Sequence, residues 1–290
     1  METRWMYRTS GDLAELREAS KGVCVIPMGC VEKHGLHLPL GQDILAASHV
    51  VHEASKLETV CVFPDFIFGD IQGAGPNENP GNVSVSLELE MRLLEELCDN
   101  IARNGFHKIV VYNGHGGNKP WLSTFLRTQE HKKRDWVCVV ITTFRMVPHK
   151  LAEYLIENGS GSIPELEPED EALILKYHEQ DILCGHACFS ETSRMMDIAP
   201  EAIHLDRLGI ESGLSTHAAD YLAQAGIQMT DSGWGVNYPN AFSGDDPIGC
   251  NPRIGRAAVR FEAEKAAHAF KILKEDENLL KWLDERQKGW

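Results

Sequence analysis

The stretch Gly29-Cys30-Val31-Glu32-Lys33-His34-Gly35-Leu36-His37-Leu38-Pro39-Leu40-Gly41-Gln42-Asp43 holds the densest group of side chains able to do chemistry. It follows residues 23–28, an apolar run with the composition of a buried strand. In extended chain, residues two apart point the same way, so Glu32 and His34 are expected to face one cavity. The residues beyond them have the length and turn chemistry to bring Asp43 back. Carboxylate, imidazole and carboxylate together suit Zn²⁺, Mn²⁺ or Fe²⁺. An exposed polar loop is the competing reading of the same residues.

A second group is Asn113-Gly114-His115-Gly116-Gly117-Asn118, which follows the apolar run 108–112. This puts His115 at the carboxyl end of an expected parallel strand, where open α/β sheets carry their sites. The glycines allow close approach of the backbone to a ligand, although a lone histidine before glycines is also an ordinary loop residue. A third group is Gly185-His186-Ala187-Cys188-Phe189-Ser190-Glu191-Thr192-Ser193. His186 can move protons near neutral pH. Glu191 is either a further metal ligand or a helix cap. Cys184-Gly-His186-Ala-Cys188 fits none of the common zinc-finger spacings. Cys30 near His34 suggests a thiol nucleophile but lacks a clear third partner.

The elements that position these groups are legible from apolar patterning. Residues 23–28, 60–63, 108–112 and 137–142 read as buried strands, and their unbroken apolar character implies a parallel sheet covered on both faces. Residues 86–104, 119–131, 169–180 and 253–274 read as helices. Strands alternating with helices indicate a layered α/β fold. Residues 157–168 form a surface loop, and no linker or repeat divides residues 1–290, so one domain is expected.

Composition limits the function. Apolar residues make up 43% of the 290, enough for a buried core. A net charge of −15 repels phosphate backbones and anionic lipid, which argues against nucleic-acid and membrane partners. The eight cysteines are scattered, several inside apolar runs, with no Cys-x-x-Cys pair, as free thiols of a reducing compartment are. The N-terminal residues carry charges and no apolar segment, unlike a signal peptide, and no run spans a bilayer, so a cytoplasmic protein is expected.

With these three blocks in this order and spacing, the chain resembles the creatininase (creatinine amidohydrolase) family. Its first block looks like G-x-x-E-x-H-G-x-H-L-P-L-x-x-D, the second like N-G-H-G-G-N and the third like H-A-x-x-x-E-T-S. A weaker match runs through Gly244-Asp245-Asp246-Pro247, and the likeness spans roughly residues 20–273. It implies a three-layer α/β/α fold with a mostly parallel central sheet, often a homohexamer, and two divalent ions (Zn, Mn or Fe). By this resemblance Asp43 bridges both ions, Glu32 and His115 hold one, and His34 and Glu191 hold the other. His186 binds substrate or transfers a proton, and Asn79, Asn82 and Asn118 are expected substrate contacts. Water activated by the cations would attack the carbonyl of a small, cyclic amide.

Two departures bear on the substrate. Creatininase itself has a glutamate at the position of Gly117, and the usual H-x-x-F-P-G-T-x-S-L stretch here reads Glu78-Asn79-Pro80-Gly81-Asn82-Val83-Ser84-Val85. Both make creatinine a poorer candidate. The polar run Asn77-Glu78-Asn79 and Gln72 would suit a hydroxyl-rich ring, so the main alternative is ring opening of an inositol-derived diketone such as 3-dehydro-scyllo-inosose. A non-catalytic metal-binding accessory is the remaining alternative.

Overall fold

Four apolar runs form one parallel sheet in this computed structural model, which describes residues 1–71, 79–142, 148–182, 184–229, 233–244 and 246–288. The expectations at Gln72, Asn77, Glu78 and Asp245 lie outside the described residues. Strands β1 (Val23–Met28), β2 (Cys61–Val62), β3 (Lys108–Asn113) and β4 (Val137–Thr142) lie in the order β2-β1-β3-β4, all pairs parallel. Strands β1 and β4 keep the bounds expected from the sequence, and β3 gains Asn113. The second run shortens to two residues: Phe63 still donates to Val25 O at 2.8 Å, but Pro64 has no N–H to continue the ladder.

The unbroken apolar runs have a simple cause. Cys24, Ile26, Met28, Ile109 and Val111 enter one core cluster, and Val23, Val25, Val110 and Tyr112 enter a second on the opposite face. Alternate residues thus face different layers, and both layers are apolar. Helices α1 (Leu13–Ala19), α3 (Leu87–Arg103) and α4 (Asn118–Gln129) cover the first face. Helices α2 (Gln42–Leu57) and α10 (Pro252–Glu275) cover the second. The result is the expected three-layer α/β/α arrangement.

Three helices, α5 (His149–Asn158), α6 (Pro168–Glu179) and α7 (Phe189–Ile198), pack with α10 in a further apolar cluster. Short helices α8 (Asp220–Gln224) and α9 (Trp234–Asn237) follow, and α11 (Leu279–Gln287) rests on β4. An antiparallel pair joins β5 (Cys184–His186) to β6 (Ser243–Gly244).

Helix ends follow local chemistry. Ser86 caps α3, accepting from Leu89 N at 3.4 Å. Helices α6 and α10 begin one residue earlier than their expected starts, at Pro168 and Pro252, because proline suits a first turn whose N–H groups have no helical partner. Helix α4 starts at Asn118 and stops at Gln129, against the expected 119–131. The loop expected at 157–168 runs between α5 and α6. Helices α1, α2, α5, α7, α8, α9 and α11 were not anticipated. Helix α2 hides its periodicity because its buried face is built from small and polar residues, Gln42, Asp43, Ala46, Ala47 and Ala54 among them.

Helix α7 lies close on α10. A β-carbon at Gly255 would overlap the Ser193 carbonyl, which is backbone and cannot swing aside. Gly255→Ala is therefore expected to lower stability by about 1–3 kcal/mol, the usual cost of overpacking. Urea unfolding measures it; an unchanged midpoint would mean the two helices have room to separate.

Candidate metal centre

The carboxyl ends of β1 and β3 form the floor of the site. A β-carbon at Gly29 would lie 2.5 Å from Ile44 N, and one at Gly114 would lie 2.8 Å from Asp43 O. These two glycines let the first turn of α2 rest directly on the strand ends. That contact places Asp43 beside residues leaving both strands. The chain between Glu32 and Asp43 folds back through Glu32 N to Leu40 O at 3.0 Å and Gln42 N to Pro39 O at 3.1 Å.

Asp43 then faces two groups. Its Oδ2 is 2.7 Å from His115 Nδ1, which is also 3.2 Å from Glu32 Oε1. Its Oδ1 is 3.5 Å from His34 Nε2, which is 3.8 Å from Glu191 Oε2. The potential ligand atoms fall into matching sets: Cys30, Glu32, Asp43 and His115; His34, Asp43 and Glu191; and Glu32, His34 and His186. The structure therefore brings Glu32, His34, Asp43, His115, His186 and Glu191 together.

Each histidine is oriented by a backbone carbonyl. His34 Nδ1 donates to Glu32 O at 3.2 Å, His115 Nε2 to Asp70 O at 2.8 Å, and His186 Nε2 to Lys33 O at 2.8 Å. A carbonyl only accepts, so the tautomers follow, and the other ring nitrogen of each points toward the carboxylates. Such anchoring of the far nitrogen is what metal-binding histidines require. The His34 and His186 rings stack with centroids 3.9 Å apart.

The donor set fits divalent cations. Glu32 Oε1 and His34 Nε2 are buried and make no hydrogen bond. Among the described residues, Glu32, Asp43 and Glu191 form ion pairs with histidines alone. Uncompensated buried carboxylates are costly, and protons on the imidazoles stand in for cations here. Burial works to lower the His34 pKa, but Asp43, Glu191 and Glu32 carry it up to about 9. Burial opposes a charged His115 too, yet Cys30, Glu32 and Asp43 hold its pKa well above the usual value. Burial would raise Asp43, and His34 and His115 outweigh it, keeping it well below the carboxylate range.

Glu191 faces two groups at once. Its Oε2 accepts from Ala187 N at 2.6 Å at the start of α7 and also faces His34. Position 117 has no room for a side chain, since a β-carbon there would meet Asp70 O and the His115 ring. A glutamate in that place is incompatible with this packing, which leaves Glu191 as the nearby carboxylate.

The three asparagines expected at the substrate make hydrogen bonds within the protein. Asn118 Oδ1 accepts from Asp70 N at 2.9 Å and Trp121 Nε1 at 3.0 Å, and its Nδ2 donates to Asn113 Oδ1 at 3.1 Å. Asn113 in turn clamps the His115 backbone from both sides, at 2.8 and 3.1 Å. Asn82 Oδ1 accepts from Lys33 N at 2.7 Å. Asn79 is buried, and its carbonyl accepts from Asn82 N at 3.2 Å. Asn79, Asn82 and Asn118 are not among the described residues lining the cavity, and the hydrogen bonds given above hold them to the protein's own loops and strand ends.

The cavity beside the carboxylates holds about 370 Å³. Besides Glu32, Asp43, His115, Glu191 and His186 its lining includes Ser190, Arg194, Trp234, Tyr238 and Ser243. Trp234 stands edge-on to His186 with centroids 5.3 Å apart. Trp234 and Tyr238 carried no sequence signal, because a Trp and a Tyr four residues apart have no spacing characteristic of a site. His37, buried and held neutral by burial with a pKa of about 4, hydrogen-bonds Thr192 at 3.1 Å and ties the first block to α7.

A sequence profile for creatininase (creatinine amidohydrolase) matches residues 7–270. The chain belongs to the creatininase family. Creatinine amidohydrolase of Pseudomonas putida is 22% identical over 192 residues, 64% of this chain and 68% of that protein. The 3-dehydro-scyllo-inosose hydrolase of Thermotoga maritima is 26% identical over 113 residues, 38% of this chain and 36% of that protein. A solved mutant creatininase of Zn-Zn type superposes with a TM-score of 0.70 at 18% identity, covering 95% of this chain and 100% of the other. This member of the creatininase family is a hydrolase, and it carries a candidate metal site.

The His34 value has a consequence for pH. A folded pKa of about 9, above the ordinary 6.5, means His34 protonation stabilises the metal-free fold fully below pH 6.5, and that contribution is lost as pH rises through 9. Metal-stripped protein is expected to lose Tm across that window, and zinc- or manganese-loaded protein to lose less. A flat metal-free profile would mean His34 carries no proton there.

Proposed function

We propose that this hydrolase uses two divalent ions to open the carbonyl–nitrogen bond of a small, cyclic amide. Asp43 would bridge the ions, with Glu32 and His115 on one and His34 and Glu191 on the other. One observation carries the reading: the two oxygens of a single buried carboxylate face two separate histidine–carboxylate groups. Bound there, the cations supply Lewis acidity toward the carbonyl and a lowered pKa for water.

The chain's own residues do the rest. His186 donates its Nε2–H to Lys33 O, which leaves Nδ1 free to take a proton and return it to the leaving nitrogen. Its ring is held between His34 and Trp234, so its direction is restrained. Trp234 and Tyr238, their rings inclined at 38° with centroids 5.7 Å apart, give the cavity an aromatic wall against which a flat ring could lie.

A second reading has its own support. Ser190, Ser243 and Tyr238 put hydroxyl groups on the cavity wall, which would suit a polyhydroxylated ring ketone, with carbon–carbon rather than carbon–nitrogen cleavage. The stretch similar to the inosose hydrolase points the same way. Zinc and manganese are the first metals to test, since carboxylate and imidazole donors suit both. Assembly as a homohexamer and a cytoplasmic location belong to the same proposal, the latter supported by eight cysteines none of which is in a disulfide.

Turnover of creatinine, formamides, small lactams and inositol-derived diketones by metal-loaded protein decides between the substrate classes. Asp43→Ala is expected to abolish activity and to empty both metal positions; full turnover with two ions retained would sink the bridging role. His186→Ala is expected to cut turnover by about 10²–10⁴-fold, the range for a lost general acid–base, with metal content near normal. A large loss of metal in that variant would make His186 a ligand instead.

A further inference from the structure

Cys30 lies outside the ligand set above, yet its thiol reaches the same point. It leaves β1 two residues before Glu32, so the two side chains emerge on one side of the chain. Cys30 Sγ is 3.2 Å from Asp43 Oδ2, the oxygen that His115 Nδ1 approaches at 2.7 Å. Candidate ligand atoms of Cys30, Glu32, Asp43 and His115 lie within 4.8 Å of one another, and all four residues are buried. That makes one sulfur, one nitrogen and two carboxylate oxygens: four donors, the number that tetrahedral zinc takes. The thiol S–H and the imidazole N–H both aim at one carboxylate oxygen. A single cation among the four would replace both protons and satisfy every donor at once.

We propose that Cys30 is a thiolate ligand of the ion held by Glu32, Asp43 and His115. The proposal rests on the metal-dependent reading above. On binding, the Cys30 thiol releases its proton to solvent and a sulfur–metal bond forms, with no change of oxidation state. The two positions then differ in kind. The Cys30 position is soft and selects zinc, cobalt or ferrous iron; the position made by His34, Asp43 and Glu191 offers only nitrogen and oxygen and accepts manganese as well. The mixed donor set also gives Cys30 a role other than the nucleophile its place near His34 suggested.

Two measurements test it without relying on turnover. X-ray absorption of the zinc-loaded wild-type protein is expected to contain sulfur scattering at about 2.3 Å beside nitrogen and oxygen at about 2.0–2.1 Å. Cobalt-substituted protein is expected to absorb in the near ultraviolet through sulfur-to-cobalt charge transfer. Cys30→Ser should remove that band and the sulfur shell. In chelator competition it should weaken zinc at one of the two positions by at least about tenfold, with manganese affected less. Two bound ions with nitrogen and oxygen neighbours alone would overturn the assignment, as would a sulfur shell or band that survives in Cys30→Ser. If that variant does not fold, the wild-type absorption spectrum alone decides. A protein that binds no divalent ion would instead overturn the metal reading itself, and this assignment with it.

Discussion

Glu32, Asp43 and Glu191 carry three carboxylates into one neighbourhood, and among the described residues their ion pairs are with imidazoles alone. Withdrawing such charges from water costs several kcal/mol each unless opposite charge is supplied. The rest of the site follows from that demand. Three histidines are turned inward by hydrogen bonds to backbone carbonyls, so each can offer a lone pair or a proton to the carboxylates and little else. Protons on the imidazoles meet that demand, which is why the carboxylates hold two of the imidazoles above their ordinary range.

The fold bears the cost of holding like charges together. Helix α2 can bring Asp43 to the strand ends only because Gly29 and Gly114 present no side chains there. Helix α7, which carries Glu191, is pressed on α10 through the close approach of Ser193 and Gly255. A buried pair, Arg194 to Glu262 at 3.2 and 3.3 Å, joins the same two helices beneath the cavity. Burial still pushes the Glu262 carboxyl upward despite that partner, so the pair serves better as a specific clamp than as a source of stability. A charged floor on the strand ends thus meets a wall that includes Trp234 and Tyr238, at the two ends of the short helix α9.

Much of this was legible along the chain. The strand runs at 23–28 and 137–142 matched their elements, because strands covered on both faces need apolar residues at every position. Glu32, His34, Asp43, His115, His186 and Glu191 stood out because they sit in three dense polar blocks, two of which follow an apolar strand run. Helices α2 and α7 did not, since their buried faces mix site and small polar residues with a few apolar ones, such as Ile44, Val50 and Met195. Nor does the sequence distinguish the roles of Asn79, Asn82 and Asn118. A polar residue in a glycine-rich loop looks the same whether it meets a ligand or holds another loop in place.

By itself the sequence determined the layered α/β class, the family and the side chains that gather at the site, because all of these are written in local spacing and composition. Only the tertiary structure decided which Asp43 oxygen faces which histidine, that Asn118 and Asn113 hold the His115 backbone, and that position 117 has no room for a side chain. It alone brought Trp234 to His186 and turned the Cys30 thiol onto Asp43. These contacts join residues that packing brings together from separate elements. Chain periodicity reports which face a residue occupies, and says nothing of what that face will meet.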